Sequence, residues 1–184
     1  MIDLRSQLRR KVLAYFFTNP NCRRYPREVA GFLGIDASNL LKELRRLEQQ
    51  GLFASERRGR EVYFRLNREY PLFREVRAIV LKTVGAPSLI REAVEEIPGV
   101  KAVYLYGSFA RDHQDAVSDI DLLLVGNPRP QALEIRIRKL EKQLGREISY
   151  TVLSWEEFKS RRARKDAFLE DVWRQKKITL VGSP

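Results

Sequence analysis

Two aspartates, Asp119 and Asp121, open an apolar stretch that continues as LLLV from Leu122. Side chains of a β-strand alternate between its two faces, so both carboxylates should project from the same side of the predicted strand. Two such neighbouring carboxylates repel each other unless a positive group joins them. Mg²⁺ takes oxygen ligands from one or two carboxylates together with substrate phosphates. The spacing therefore predicts a site for a magnesium ion and the phosphates of a nucleotide.

A second set of polar residues precedes and flanks the aspartates. Gly107 permits close approach of the backbone to a ligand, and Ser108 is expected to begin a helix whose free amides and positive end suit a triphosphate. Arg111 is near enough in sequence to bind phosphate, but it could equally pair with one of the aspartates. Ser118 could cap or orient the strand that carries the carboxylates.

The second half of the chain alternates helical and strand patterns from Pro87 onward. Strands are predicted at 100–106, 119–125 and 147–153 and near 178–181, with a helix at 130–144 and further helices around them. This alternation predicts an α/β layer, with helices over one face of the sheet and the site on the other.

The motif GSFAR, six residues and then SDIDL, resembles the signature of the polymerase-beta-like nucleotidyltransferase superfamily, in particular its minimal members. The resemblance implies that Asp119 and Asp121 are catalytic metal ligands and that an attacking hydroxyl displaces pyrophosphate. The expected cofactors are Mg²⁺ and an NTP, with ATP as the first choice. The implied nucleotide-binding residues are Gly107, Ser108, Arg111 and Ser118.

Two positions depart from this family's pattern. Asp112 stands where the family often has glycine, and Ser149 appears where active members place a third carboxylate. Glu147 shares a strand face with Ser149, so it is a candidate catalytic base or metal ligand if the sheet lets it reach the site. If it does not reach, the domain would bind nucleotide without transferring it.

Three helices are predicted in the first 50 residues. The first ends near Asn19-Pro20, the second begins at Pro26 and ends at Gly34, and the third is capped by Asp36. The third helix buries a leucine stripe and presents a polar, cationic face that contains Ser38, Lys42, Arg45 and Arg46.

Two strand-like runs, 52–55 and 61–66, then flank Arg57, Arg58, Gly59 and Arg60. Three helices followed by a hairpin with a basic tip resemble a winged helix-turn-helix of bacterial and archaeal transcription regulators. The resemblance implies that helix 36–50 enters the DNA major groove while the wing touches the backbone or minor groove. A winged helix used for protein contacts is the alternative. The candidate DNA-binding residues are Ser38, Lys42, Arg45, Arg46, Arg57, Arg58 and Arg60.

A further helix is expected from Tyr70-Pro71 to Gly85, with an apolar band wide enough to touch two neighbours. Because regulators of this type usually dimerise, a homodimer through this helix is expected. The predicted domains are a winged helix-turn-helix at 1–67, a linker or dimerisation helix at 68–85, and a nucleotidyltransferase-like domain at 86–184. The fold class expected is α/β (α+β) with two domains.

The formal net charge is +11, and residues 1–67 carry 14 Lys/Arg against 7 Asp/Glu. A basic excess in one domain favours a polyanionic partner such as double-stranded DNA, although a merely soluble basic surface is the plain alternative. Cys22 is the single cysteine, so an internal disulfide is excluded. No apolar run approaches the ~20 residues that span a bilayer, and a cytoplasmic protein without membrane partners is expected.

Three functions compete at this point. The leading interpretation is a DNA-binding transcription regulator whose second domain binds Mg-NTP and transfers or senses nucleotide. The first alternative is an active nucleotidyltransferase that modifies a protein or RNA partner. Minimal members of the family often act as antitoxins, so a protein partner of toxin type is implied. The second alternative is a DNA-binding dimer without any ligand.

Overall fold

The computed structural model describes residues 3–111 and 118–182. The chain divides into two compact units, one formed by Met1–Ala86 with Lys142–Gly145 and the other by Pro87–Glu141 with Arg146–Pro184. Asp112, the residue that departs from the family motif, lies outside the described residues. The domain limits at 67/68 and 85/86 stay predictions.

The first unit contains four helices and a hairpin among its described residues. The predicted helix ends are confirmed, because the Asp36 side chain accepts a hydrogen bond from the Asn39 amide at 2.8 Å and Gly34 adopts φ 61°. Both devices satisfy backbone groups that a helix end leaves unpaired. The elements are α1 Gln7–Thr18, α2 Pro26–Leu33, α3 Ala37–Gln49, β1 Phe53–Arg58, β2 Glu61–Leu66 and α4 Phe73–Thr83.

One apolar core joins these elements, and the predicted leucine stripe of α3 lies inside it. The same buried side of α3 also carries Glu43, which the sequence pattern did not mark. Arg9 of α1 donates to Glu43 at 2.5 Å, so the buried carboxylate has a charged partner. A buried charge needs such a partner, because removing it from water alone is costly.

The hairpin is tighter than the sequence suggested. Arg58 pairs directly with Glu61, so only Gly59 and Arg60 form the turn, and Arg57 lies within β1 rather than in a loop. The expectation of a four-residue basic tip at 57–60 is therefore wrong. Gly59 makes the short turn possible because its φ is 60°, a conformation that glycine adopts without a steric cost.

Helix α4 begins at Phe73, two residues after Pro71, where the sequence placed its start. Val76 and Val80 pack into the core of the first unit. Leu72 and Ile79 are 55% and 49% exposed. The dimer expected through this helix stays a prediction.

The second unit is a mixed α/β fold around a four-stranded sheet in the order β5-β4-β3-β6. Strands β4 and β5 run parallel, and the other two pairings are antiparallel. The strand and helix positions predicted for this half are confirmed to within one residue for the listed strands and the 130–144 helix. The elements are α5 Ala86–Glu95, β3 Val100–Tyr106, α6 Gly107–Ala110, β4 Ile120–Gly126, α7 Pro130–Leu144, β5 Ile148–Leu153, α8 Trp155–Ala163, α9 Ala167–Arg174 and β6 Ile178–Val181.

Both faces of this sheet are buried along most of its length. Tyr104 and Leu123 on one face pack against Phe158 of α8 and Leu169 of α9. Leu122 and its neighbours on the opposite face are also fully buried. The expectation that helices cover only the face away from the aspartates is therefore wrong. The uninterrupted run LLLV is typical of a strand buried on both sides.

No helix in the described ranges combines the length and apolar character that crossing a bilayer requires.

Candidate functional site

The start of β4 brings the two aspartates to β5. Asp121 lies in register between Tyr106 of β3 and Ser149 of β5. The Ile120 amide donates to the Glu147 carbonyl at 3.0 Å, which extends the pairing to the residues just before both strands. Asp119 therefore lies beside the beginning of β5, where Ser149 donates a hydrogen bond to its Oδ2 at 3.0 Å.

The carboxylates are close enough to influence each other. Burial raises the pKa of Asp121, the charge of Asp119 raises it further, and Arg111 opposes both effects. A half-buried carboxylate with a like charge beside it favours any cation that can approach. This charge pattern makes the pair a suitable anchor for a metal ion.

Gly107 lies directly against the Asp121 carboxylate. Its φ is 72°, and a Cβ built on it would overlap Oδ2 of Asp121. Only glycine combines this backbone conformation with this close approach. The backbone at the start of α6 and the carboxylate of β4 therefore share one site.

Helix α6 is a single turn, from Gly107 to Ala110, so the expected contribution of a helix dipole is small. Tyr106 at its N-cap position makes no side-chain hydrogen bond to the first turn. The amides of this turn are thus not capped by Tyr106, and they are the groups of α6 that could face a phosphate.

Arg111 follows α6 and is exposed at the end of the turn. Its Nη1 donates to Oε1 of Gln175, which follows α9. The sequence left open whether Arg111 would bind phosphate or pair with an aspartate, and it gave no signal for Gln175. Ser118 is half-buried immediately before Asp119, as a residue that orients this strand would be.

Glu147 is exposed, and its contact with β4 is through its main-chain carbonyl. Within residues 3–111 and 118–182, no three His, Cys, Asp or Glu side chains are grouped so that they could hold a metal. The structure thus brings together Asp119, Asp121 and Ser149, and it does not gather Glu147 into a three-carboxylate cluster.

Tyr106 is a residue of the site that the sequence patterns did not indicate. Burial raises its pKa, the charge of Asp121 adds to this rise, and a side-chain hydrogen bond with Thr151 opposes it. Tyr106 therefore forms a wall beside Asp121, and its aromatic ring packs edge-on against Phe168 at 5.9 Å between centroids.

Two carboxylates without a third fit Mg²⁺, because this ion is usually held by one or two protein carboxylates plus substrate phosphates and water. Asp119 and Asp121 would hold the ion.

Replacing Asp121 by asparagine should stabilise the metal-free protein at neutral pH. Because the pKa of Asp121 is raised in the folded state, its ionised form costs stability, and this cost disappears as pH falls through that pKa. We expect the Tm to rise by roughly 2 °C at pH 7, a modest value because solvent screens this half-exposed charge. The difference should shrink in thermal melts at progressively lower pH, and a destabilised variant at pH 7 would contradict the electrostatic account.

The cationic residues of the first unit form a separate candidate surface. All seven predicted DNA-binding residues are exposed. A groove of about 510 Å³ is lined in part by Ser38, Arg45 and Arg60. Arg45 is held by Glu48 at 2.7 Å and by Ser55 at 3.2 Å, which the sequence could not show.

Other arginines of this surface also have acidic neighbours. Arg46 lies 3.8 Å from Glu43, and Arg58 lies 3.0 Å from Glu56. These pairs reduce the net positive charge that the sequence count suggested for the surface.

Comparisons with known proteins address the second unit. A model of the family described as "Nucleotidyltransferase domain" matches residues 88–180. A search of curated proteins found no match.

Several solved structures are similar to part of the chain. A toxin–antitoxin structure with AMP-PNP is 22% identical, with 53% of this chain and 73% of that chain covered and a TM-score of 0.39. A tri-AMPylated HEPN toxin of Shewanella oneidensis in complex with MNT antitoxin is 20% identical, with coverage of 53% and 71% and a TM-score of 0.36. A putative nucleotidyltransferase from Sulfolobus solfataricus is 23% identical, with coverage of 51% and 74% and a TM-score of 0.28.

The family match includes α6, both aspartates and the β5 segment that adjoins them. Nucleotidyltransferases of this family generally use an NTP and a divalent metal ion, which agrees with the carboxylate pair described above. Since the matched region covers just over half of its residues, this chain belongs to the nucleotidyltransferase domain family.

Proposed function

We propose that this protein is a metal-dependent nucleotidyltransferase that binds Mg-NTP, ATP being the expected nucleotide, and modifies a macromolecular partner. The observation that carries the proposal is the packing of Gly107 against the Asp121 carboxylate. This packing places a ligand-accessible backbone turn and a metal-binding carboxylate in one site.

Each residue of the site has a proposed role in this reaction. Asp119 and Asp121 hold the metal, and the Gly107-Ser108 backbone together with Arg111 binds the phosphates. Bound Mg²⁺ neutralises charge on the phosphate oxygens. The partner's hydroxyl attacks the α-phosphorus, its oxygen forms the new phosphate ester, and pyrophosphate leaves with the electrons of the broken bond.

The proton of the attacking hydroxyl needs an acceptor. Asp119 already accepts a hydrogen bond from the Ser149 hydroxyl, so a substrate hydroxyl in a similar place would find the same acceptor. Glu147 is the second candidate base, because it lies on the adjoining strand end.

Two measurements on the full chain test the proposal. Calorimetric titration with ATP should show binding in the presence of Mg²⁺ and much weaker binding with excess chelator. α-Labelled ATP should then transfer label to a partner protein or RNA in a Mg²⁺-dependent reaction. Absence of Mg-ATP binding, or binding that is indifferent to the metal, would remove the proposal.

The third-carboxylate position can be tested by a pair of substitutions. Ser149→Asp should increase labelled transfer by about 10-fold or more, because it adds a charge beside Asp121 in register. Glu147→Gln should decrease transfer by about 10-fold if Glu147 acts as base or ligand. Glu156→Gln, another exposed glutamate, is the control. An unchanged rate in Glu147→Gln would leave Glu147 without a catalytic role.

The acceptor is proposed to be a hydroxyl of a protein or RNA partner. The motif's resemblance to minimal nucleotidyltransferases that act as antitoxins favours a protein partner of toxin type. Co-expression of the chain with candidate partners, followed by mass spectrometry, would detect an added nucleotidyl group on one residue of the partner.

A second candidate function is duplex DNA binding by the first unit, acting as a winged helix-turn-helix. The observation that favours it is the groove between α3 and the hairpin turn, where Ser38 and Arg60 both line the wall. On this proposal α3 enters the major groove and the hairpin contacts the backbone. The transcription-regulator interpretation depends on this binding.

DNA binding should depend most on the cations that are exposed and not bound to an acid. Lys42→Ala with Arg60→Ala should weaken duplex binding and reduce the slope of log affinity against log salt by about 2, one unit for each lost phosphate contact. Arg74→Ala on α4 is a matched control. Fluorescence anisotropy at several salt concentrations provides the measurement, and salt-insensitive or absent binding would contradict this second function.

A further inference from the structure

Gln175 is fixed at the end of α9 by a single neighbour. Its backbone amide donates to the Asp171 carbonyl at 3.2 Å, and its side-chain Nε2 donates to Asp171 Oδ2 at 2.6 Å. With the amide nitrogen engaged in this way, Oε1 is turned toward Arg111 and accepts from its Nη1. The result is a chain of contacts, Arg111 to Gln175 to Asp171, that links the end of α6 to the last turn of α9.

The charges along this chain are arranged in order. The hydrogen bond from Gln175 lowers the pKa of Asp171, and Arg174, which donates to it at 3.2 Å, lowers it further. The negative end is therefore well supported. Arg111 itself meets a neutral amide, which orients the guanidinium but leaves its positive charge uncompensated by that contact.

Arg111 also has an attractive alternative nearby. Its charge acts on Asp121, opposing the rise in the pKa of that carboxyl. A guanidinium released from Gln175 would be drawn toward Asp119 and Asp121, since opposite charges attract strongly in a partly buried site. In that position it would occupy the space that the metal and phosphates require.

We propose that Gln175, held by Asp171, is a positioning residue that keeps Arg111 directed at the phosphate site and away from the two catalytic aspartates. This inference rests on the proposed nucleotidyltransferase function. It adds two residues from α9, outside the sequence motif, to the nucleotide-binding machinery.

The test measures Mg-ATP affinity and transfer rate separately on the full chain. Gln175→Ala should raise the Kd for Mg-ATP by about 5–10-fold, the loss expected for one charge-assisted contact, while kcat changes by less than about 2-fold. Asp171→Ala should act in the same direction, whereas Asp171→Asn keeps an acceptor for Gln175 and should remain within about 2-fold of the wild type. Lys176→Ala, an exposed neighbour, is the control.

A double-substitution cycle distinguishes positioning from general stability. In the Arg111→Ala background, Gln175→Ala should change the Kd by less than about 2-fold, because the group that it positions is gone. Additive effects of the two substitutions, or an unchanged Kd in Gln175→Ala, would overturn the inference.

NMR of the arginine side chains gives a readout that needs no nucleotide. The Arg111 guanidinium should show restricted rotation in the wild type and averaged signals in Gln175→Ala. If the wild type binds no Mg-ATP, the proposed function fails, and this spectrum decides the contact alone. Restriction that is lost in Gln175→Ala supports the positioning contact, and equal spectra overturn it.

Discussion

Asp121→Asn is expected to reduce nucleotidyl transfer by at least about 10³-fold, which corresponds to about 4 kcal/mol of lost transition-state stabilisation. Asparagine has nearly the same shape but no charge, so it cannot neutralise a metal ion that in turn stabilises the phosphates. The central position of Asp121, between Tyr106 and Ser149 in the sheet, leaves no neighbouring side chain that could move into its place on β4. Initial rates with α-labelled ATP give the measurement.

The thermal stability of this variant separates catalysis from folding. Since the same substitution removes a destabilising charge, the Tm should rise while activity falls. Asp166→Asn is a matched control, because Asp166 caps α9 by accepting from the Leu169 amide at 3.2 Å and asparagine caps helices about equally well. Asp121→Asn with more than about a tenth of wild-type activity would show that this carboxylate is not a metal ligand in the reaction.

Gly107→Ala is expected to lower Mg-ATP affinity and transfer by about 100-fold. Alanine at φ 72° costs about 1–2 kcal/mol in backbone strain, and its Cβ would also overlap Oδ2 of Asp121. Relief requires either displacement of the carboxylate or movement of the α6 turn, and both disturb the same site. Calorimetry with Mg-ATP and the labelled-transfer assay measure the two effects, and the Tm should fall by a few degrees.

Gly31→Ala offers the matched control for this substitution. Gly31 lies inside α2 with ordinary helical φ, and a Cβ there would meet nothing within 4 Å. Alanine should stabilise that helix by about 0.5–1 kcal/mol and leave nucleotide binding unchanged. If Gly107→Ala bound Mg-ATP as tightly as Gly31→Ala does, the close approach of backbone and carboxylate would have no part in the site.

The family match and the site geometry give most weight to nucleotidyl transfer. They shift the emphasis from the DNA-binding regulator that the sequence first suggested. The acidic partners of Arg45, Arg46 and Arg58 point the same way, because they reduce the free positive charge of the first unit. DNA binding stays a prediction with its own experiment.

Local features were predictable from the sequence because their causes lie within a few residues. Asp36 caps α3, Gly34 ends α2, and Ser154 accepts from the Glu157 amide at 3.0 Å to begin α8. The alternation that placed Asp119 and Asp121 on one face is equally local, because it follows from the two-residue repeat of a strand. The motif around them was sufficient to indicate the family.

The hairpin and the sheet faces show where local patterns were insufficient. Arg57 and Arg58 read as loop residues by composition, yet pairing with β2 places both in β1. The site face of the sheet read as open, yet α8 and α9 cover its apolar part. In both cases cross-strand pairing and packing outweighed the local preference of the residues.

The sequence by itself determined the carboxylate pair, the glycine turn before it and the order of strands and helices. Only the tertiary structure decided that Gly107 touches Asp121, that Ser149 bonds Asp119, and that Arg111 meets Gln175, 64 residues away. Contacts at such separations depend on strand register and on how α9 packs, and neither leaves a periodic signal in the residues that meet.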